Sequence, residues 1–150
     1  MKLEESIVQQ HFKSQQHKAT VNLLYTGYYI KQIIRKMLEP YDVTEQQYNI
    51  LRILKGQYPN AARISLVKER MLDKSCDASR LIERLRIKGL VKRKEDGVDR
   101  RAAAVTITKK GLTLLEKIGE KIDFEKMLFN ETSEEDFLIL NELLDKIRKE

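Results

Sequence analysis

The stretch Leu90-Val91-Lys92-Arg93-Lys94-Glu95-Asp96-Gly97-Val98-Asp99-Arg100-Arg101 decides the fold. It follows a helical pattern directly and leads into the alternating Val105 and Ile107. Asp96-Gly97 supplies turn chemistry, because glycine takes positive φ without steric conflict, and the runs on either side can pair as short antiparallel strands. Five of the twelve residues are Lys or Arg, and Asp99 is placed to pin a cation. The pattern predicts a basic β-hairpin.

Immediately upstream, residues 75–88 give the sharpest helical signal, with Ala78, Leu81, Ile82 and Leu85 at i, i+3, i+4 and i+7. The opposite face carries Cys76, Arg80, Glu83 and Ile87, flanked by Asp77, Ser79 and Arg84, and Gly89 stands where a helix ends on a left-handed residue. Further back, Thr44 and Gln47 form a capping box for a helix that buries Ile50, Leu51 and Leu54 and ends near Gly56. Tyr58-Pro59-Asn60 reads as a turn, Ile64 as a one-rung strand, and Ser65 as the cap of a short helix with Leu66, Val67 and Met71. Three helices closed by a hairpin make a winged helix-turn-helix.

Such a unit reads duplex DNA with the N-terminal part of its last helix in the major groove, while the wing reaches along the backbone. Ser75, Cys76, Asp77, Ser79 and Arg80 are then expected near base edges, with Arg84 closer to phosphate. Arg80 is the leading residue, because a guanidinium can bond guanine O6 and N7 together. Its alternative is a surface ion pair with Glu83. A carboxylate near phosphate is repelled, so Asp77 is read as stabilising the helix dipole rather than accepting from cytosine. Lys92, Arg93, Lys94, Asp99, Arg100 and Arg101 form the wing set.

Amphipathic segments flank the winged unit. Residues 15–39 carry Val21, Leu24, Tyr25 and Tyr28, then Ile30, Ile33, Ile34, Met37 and Leu38, until Pro40 stops the helix. A stripe this broad needs neighbours in its own domain and in a second chain. Thr108 caps a helix with Leu112, Leu115, Ile118 and Ile122, and Thr132 with Glu135 opens a last one running from Phe137 to Ile147. The expected fold is mainly α with a small β-wing. It divides into an N-terminal dimerisation helix region (1–40), a DNA-binding domain (41–108) and C-terminal dimerisation helices (109–150), all within one compact unit.

The bulk composition agrees. At 150 residues the chain supports one core, and 41% hydrophobic with 35% charged residues excludes a disordered chain. Net charge is +6, distributed as +3 over residues 1–60, +8 over 61–110 and −5 over 111–150, so the cationic surface coincides with the winged segment. No apolar run is long enough for a bilayer, and Met1-Lys2-Leu3-Glu4-Glu5 lacks a signal h-region, so a cytoplasmic protein with no membrane partner is expected. The single cysteine, Cys76, fits a reducing compartment. No Gly-rich phosphate loop or Ser-His-Asp set is present, so no enzyme and no cofactor is expected. His11 and His17, six apart, are read on opposite sides of one helix, which disfavours a metal site.

Several blocks resemble the MarR family of bacterial transcriptional regulators: Tyr48-Asn49-Ile50-Leu51-Arg52-Ile53-Leu54, Ser79-Arg80-Leu81-Ile82-Glu83-Arg84-Leu85, Lys88-Gly89-Leu90-Val91-Lys92-Arg93, Asp99-Arg100-Arg101 and Thr106-Ile107-Thr108-Lys109-Lys110-Gly111. The match spans residues 44–115. The resemblance implies a homodimer with intertwined first and last helices, set on a near-palindromic operator. It also implies that Asp99 holds Arg101 toward the minor groove, and that a small aromatic effector binds between dimer helices and winged domain, with Tyr25, Tyr28 and Tyr29 as pocket residues or interface core. Oxidant-sensing members carry a cysteine near the N terminus, which this chain lacks. Cys76 instead sits where helix-terminus amides lower a thiol pKa, or serves a structural role. The functional expectation is a sequence-specific repressor released by a small molecule or stress; the alternative is a sequence-tolerant architectural DNA-binding protein.

Overall fold

The computed structural model describes residues 2–94, 103–123, 126 and 131–148. A short α1 (Leu3–Ser6) precedes the long α2 (Gln15–Leu38), which passes through a 3-10 turn (Glu39–Tyr41) into α3 (Glu45–Gln57). Then follow β1 (Ala62–Arg63), α4 (Ile64–Arg70), α5 (Ala78–Ile87), β2 (Val91–Lys94), β3 (Ala104–Ile107), α6 (Lys109–Lys121) and α7 (Glu134–Ile147).

The strands form one antiparallel sheet in the order β1-β3-β2, with Val91 opposite Ile107, Arg93 opposite Val105 and Ala62 also opposite Val105. The hairpin expected from Leu90–Arg101 is therefore present in its paired strands, with its Asp96-Gly97 turn outside the described residues. One continuous core runs from Leu38 to Ile122, with Ile50, Leu51, Leu54, Val67, Ile82 and Leu85 almost fully buried. Each such side chain contributes about 1.5–3 kcal/mol by leaving water. Gln47 is buried among them because its side chain closes the capping box with Thr44, whose N–H it receives at 3.1 Å.

Four local readings need correction. The short strand is Ala62–Arg63, not Ile64, and Ser65 lies inside the first turn of α4, whose N-cap position is Arg63 without a side-chain cap. The helix expected from residue 75 begins at Ala78, because Asp73 engages Ser75 and Cys76 and Asp77 takes the capping position. The last helix is capped by Ser133 with Asp136, one residue later than Thr132 with Glu135. His11 precedes α2 rather than sharing it with His17. Ala103, just ahead of β3, is fully buried, and its carbonyl accepts from the Ile64 N–H at 3.3 Å.

The junction between α5 and α6 is tightly built. Gly89 takes φ +71°, and its N–H donates to the Arg86 carbonyl (2.9 Å) while the Leu90 N–H donates to that of Leu85 (3.0 Å), which closes the helix in a Schellman arrangement. The Thr108 hydroxyl then donates to the Gly89 carbonyl and Lys110 Nζ to that of Lys88, each at 2.7 Å. Gly111 fits this junction because a Cβ there would overlap the Leu90 carbonyl oxygen and stand 2.7 Å from Ile107 Cγ1. That oxygen already accepts from the Thr108 N–H at 3.0 Å and is not free to move. Gly111→Ala is therefore expected to destabilise the chain by about 1–3 kcal/mol despite alanine's better helix propensity. A urea midpoint equal to or above that of the wild type would contradict this packing.

Candidate nucleic-acid interface

The buried face of α5 holds its exposed face in place. Ala78, Ile82 and Leu85 lock into the core, leaving Ser79, Arg80 and Arg84 in solvent. Asp77 caps the helix by accepting the Arg80 N–H at 3.1 Å, in keeping with its expected electrostatic role at the N terminus. Among the described residues, no hydrogen bond or ion pair engages the guanidinium of Arg80 or Arg84. The ion pair considered for Arg80 is made elsewhere: Glu83 binds Arg86, with Nη2 to Oε1 at 2.8 Å and Nε to Oε2 at 3.0 Å.

The turn between α4 and α5 is held from two sides. Asn49 of α3 accepts the Leu72 N–H at 3.1 Å, a contact across 23 residues with no counterpart in the sequence pattern. Asp73 accepts the Ser75 N–H at 3.0 Å, the Ser75 hydroxyl at 2.5 Å and the Cys76 thiol at 3.2 Å. The Ser75 hydroxyl, followed by the thiol, holds the Asp73 carboxyl below its ordinary range. The same bond acts in reverse on Cys76: donation to a carboxylate favours the protonated thiol and pushes its pKa up. The expected lowering at a helix terminus is thus overturned, since Cys76 lies ahead of α5, half-buried and packed on the core.

In the wing, β2 splits its basic residues between two faces. Lys92 and Lys94 are exposed, whereas Arg93 is half-buried on the side of Val91 and Val105. Asp99, Arg100 and Arg101 lie outside the described residues.

On α2, Tyr25 is half-buried while Tyr28 and Tyr29 are exposed. They do not line the cleft of about 430 Å³ bounded by Tyr41, Asp42, Lys88, Leu90, Lys110, Thr113, Leu114 and Lys117. Lys88 spans the near side of that cleft, bonding the Asp42 carbonyl and pairing with Asp42 Oδ2 at 2.9 Å. Among the described residues, no group of three or more His, Cys, Asp and Glu side chains is placed to hold a metal ion. No described helix is long and apolar enough to cross a membrane.

Helices α3, α4 and α5, closed by an antiparallel hairpin, define the winged helix-turn-helix class. Flanked along the chain by long α2 before it and by α6 and α7 after it, the unit has the fold of the MarR family of transcription regulators. A MarR-like transcription regulator from Bacillus cereus aligns at TM-score 0.76 with 22% identity, over 88% of this chain and 94% of that one. A mutant MarR from E. coli, solved in complex with operator DNA, aligns at 0.74 with 19% identity, over 99% and 100%. A MarR transcription factor from Planctomyces limnophilus aligns at 0.68 with 26% identity, over 90% and 98%. No protein-family model and no curated protein sequence matches the chain.

Proposed function

We propose that the chain is a sequence-specific DNA-binding transcription regulator of the MarR type, acting as a homodimeric repressor on a near-palindromic operator. The observation that carries this reading is the α5 surface: Arg80 and Arg84 stand unengaged among described residues on a helix whose other face is fixed in the core. That combination presents a preorganised guanidinium to a groove without first breaking an internal ion pair. The E. coli relative bound to operator DNA supports it.

Dimerisation is supported by apolar residues left in solvent on the flanking helices. Leu24 and Tyr28 of α2 are 71% and 64% exposed, and α7 buries no residue while exposing Leu138, Ile139, Leu140, Leu143 and Ile147. Residues 1–40 and 109–150 then serve as dimerisation regions around the DNA-binding domain of residues 41–108. Two α5 helices entering successive major grooves on one DNA face must lie about one helical turn apart, roughly 34–36 Å. Release by a small aromatic effector, with Tyr25, Tyr28 and Tyr29 near the dimer helices, would act by changing that separation.

The test is competition of a selected operator against genomic fragments at fixed salt. A regulator should prefer the operator by at least about 10³, and a smaller ratio favours the architectural alternative. In the wing, Arg101→Ala is expected to weaken binding and to reduce the slope of log K against log salt by about one. An unchanged slope would remove Arg101 from the DNA contacts.

A further inference from the structure

The turn between α4 and α5 carries a cation that its neighbours in sequence ought to neutralise. Lys74 lies between Asp73 and Asp77, a spacing that reads as self-paired charge. Both carboxylates are committed elsewhere. Asp73 Oδ1 accepts from the Ser75 N–H and hydroxyl while its Oδ2 accepts from the Cys76 thiol, and Asp77 Oδ1 accepts the Arg80 N–H as the cap of α5. Lys74 is exposed, and among the described residues no ion pair or hydrogen bond engages its Nζ.

A cation on a free loop gives up backbone freedom when it binds. This turn has given it up already. The Leu72 side chain is 87% exposed, so apolar packing does not hold the backbone at that point. Its N–H is held instead by Asn49 of α3, which accepts it at 3.1 Å. Asn49 is half-buried and is followed in α3 by the fully buried Ile50 and Leu51, so the acceptor is fixed by the core. Lys74 therefore stands between two anchors, Asn49 on Leu72 before it and Asp73 on Ser75 and Cys76 after it.

In a helix-turn-helix the first motif helix crosses the DNA backbone, and the second enters the major groove by its N terminus. The turn that joins them lies beside the sugar–phosphate chain. We infer that Lys74 is a phosphate contact and that Asn49 is the positioning residue that delivers it, by fixing the α4–α5 turn through Leu72. This inference rests on the DNA-binding function proposed above.

The experiment is a double-mutant cycle of Asn49→Ala and Lys74→Gln in the full chain. Binding is titrated from low to high salt on a duplex of about 30 base pairs selected from a random library by the wild type, and on an unrelated duplex of equal length. Exchange of the Leu72 amide hydrogen is followed by NMR. Lys74→Gln is expected to raise Kd about three- to tenfold on both duplexes and to reduce the slope of log K against log salt by about one. Asn49→Ala should speed Leu72 amide exchange by about tenfold or more and raise Kd, and Lys74→Gln should then add less than about a twofold further loss. Asn49→Asp keeps an acceptor oxygen in place and should keep the amide protected. An unchanged slope in Lys74→Gln, or a loss confined to the selected duplex, would overturn the phosphate contact. Additive losses in the cycle, or unaltered exchange in Asn49→Ala, would overturn the positioning role. A wild type that selects no DNA removes the function proposed above and this inference with it, whereas a binding wild type matched in slope by Lys74→Gln refutes the inference alone. Should Asn49→Ala not fold, Asn49→Ser, whose side chain is too short to reach Leu72, takes its place.

Discussion

Replacing Leu140 and Leu143 with aspartate is expected to turn the proposed dimer into a monomer while leaving the winged unit folded. Both residues lie on α7, at 42% and 51% exposure, three residues apart and so on one helical face with Leu144 and Ile147. No residue of α7 is buried within the chain, so a charge there disturbs no intrachain core. Across a homodimer interface the same pair would place four carboxylates in an apolar seam, each facing a desolvation penalty of several kcal/mol. Losing the dimer removes the linkage between two half-site contacts, and operator affinity should fall by about 10²–10⁴ through lost effective concentration alone. Sedimentation equilibrium and operator titration read both effects. A variant that remains a dimer refutes this interface, and one with a depressed urea midpoint shows that α7 belongs to the intrachain core.

Arg80→Ala is expected to lower operator affinity by about 1–3 kcal/mol at each half-site, and to relax preference at one base position in each. The change removes no internal contact seen among the described residues, because Glu83 is engaged by Arg86, so stability should stay within about 0.5 kcal/mol of wild type. The informative comparison is between sequences. Loss confined to the selected operator identifies a base contact, whereas equal loss on every duplex shows that Arg80 touches phosphate alone.

Features governed by neighbouring residues are legible in the amino-acid sequence itself. The Thr44 and Thr108 caps, the Asp77 position at the start of α5, and Gly89 at its end each depend on residues within a turn of one another. Sequence and structure part where two local solutions compete. Thr132-Ser133 offers two hydroxyls, each with a carboxylate three residues on, and only the backbone path selects Ser133. Ser75 and Cys76 look like helix-opening residues until Asp73 engages both. Contacts set by the tertiary path leave no local trace: Asn49 with Leu72, Lys88 with Asp42, and the burial of Ala103. Strand alternation does contain the inward turn of Arg93, but charge alone draws it into the wing set with Lys92 and Lys94.

The bonds from Thr108 and Lys110 fasten the end of α5, while buried Ala78 and the bonds around Asp73 fasten its start. A helix of ten residues is about 15 Å long, so a tilt of about 10° about either end would carry the other through roughly 2.6 Å. That displacement exceeds the tolerance of a hydrogen bond, so α5 cannot tilt alone inside this core. Its exposed side chains keep their spacing whenever the winged unit moves, and any change in their reach comes from displacing the unit as one body.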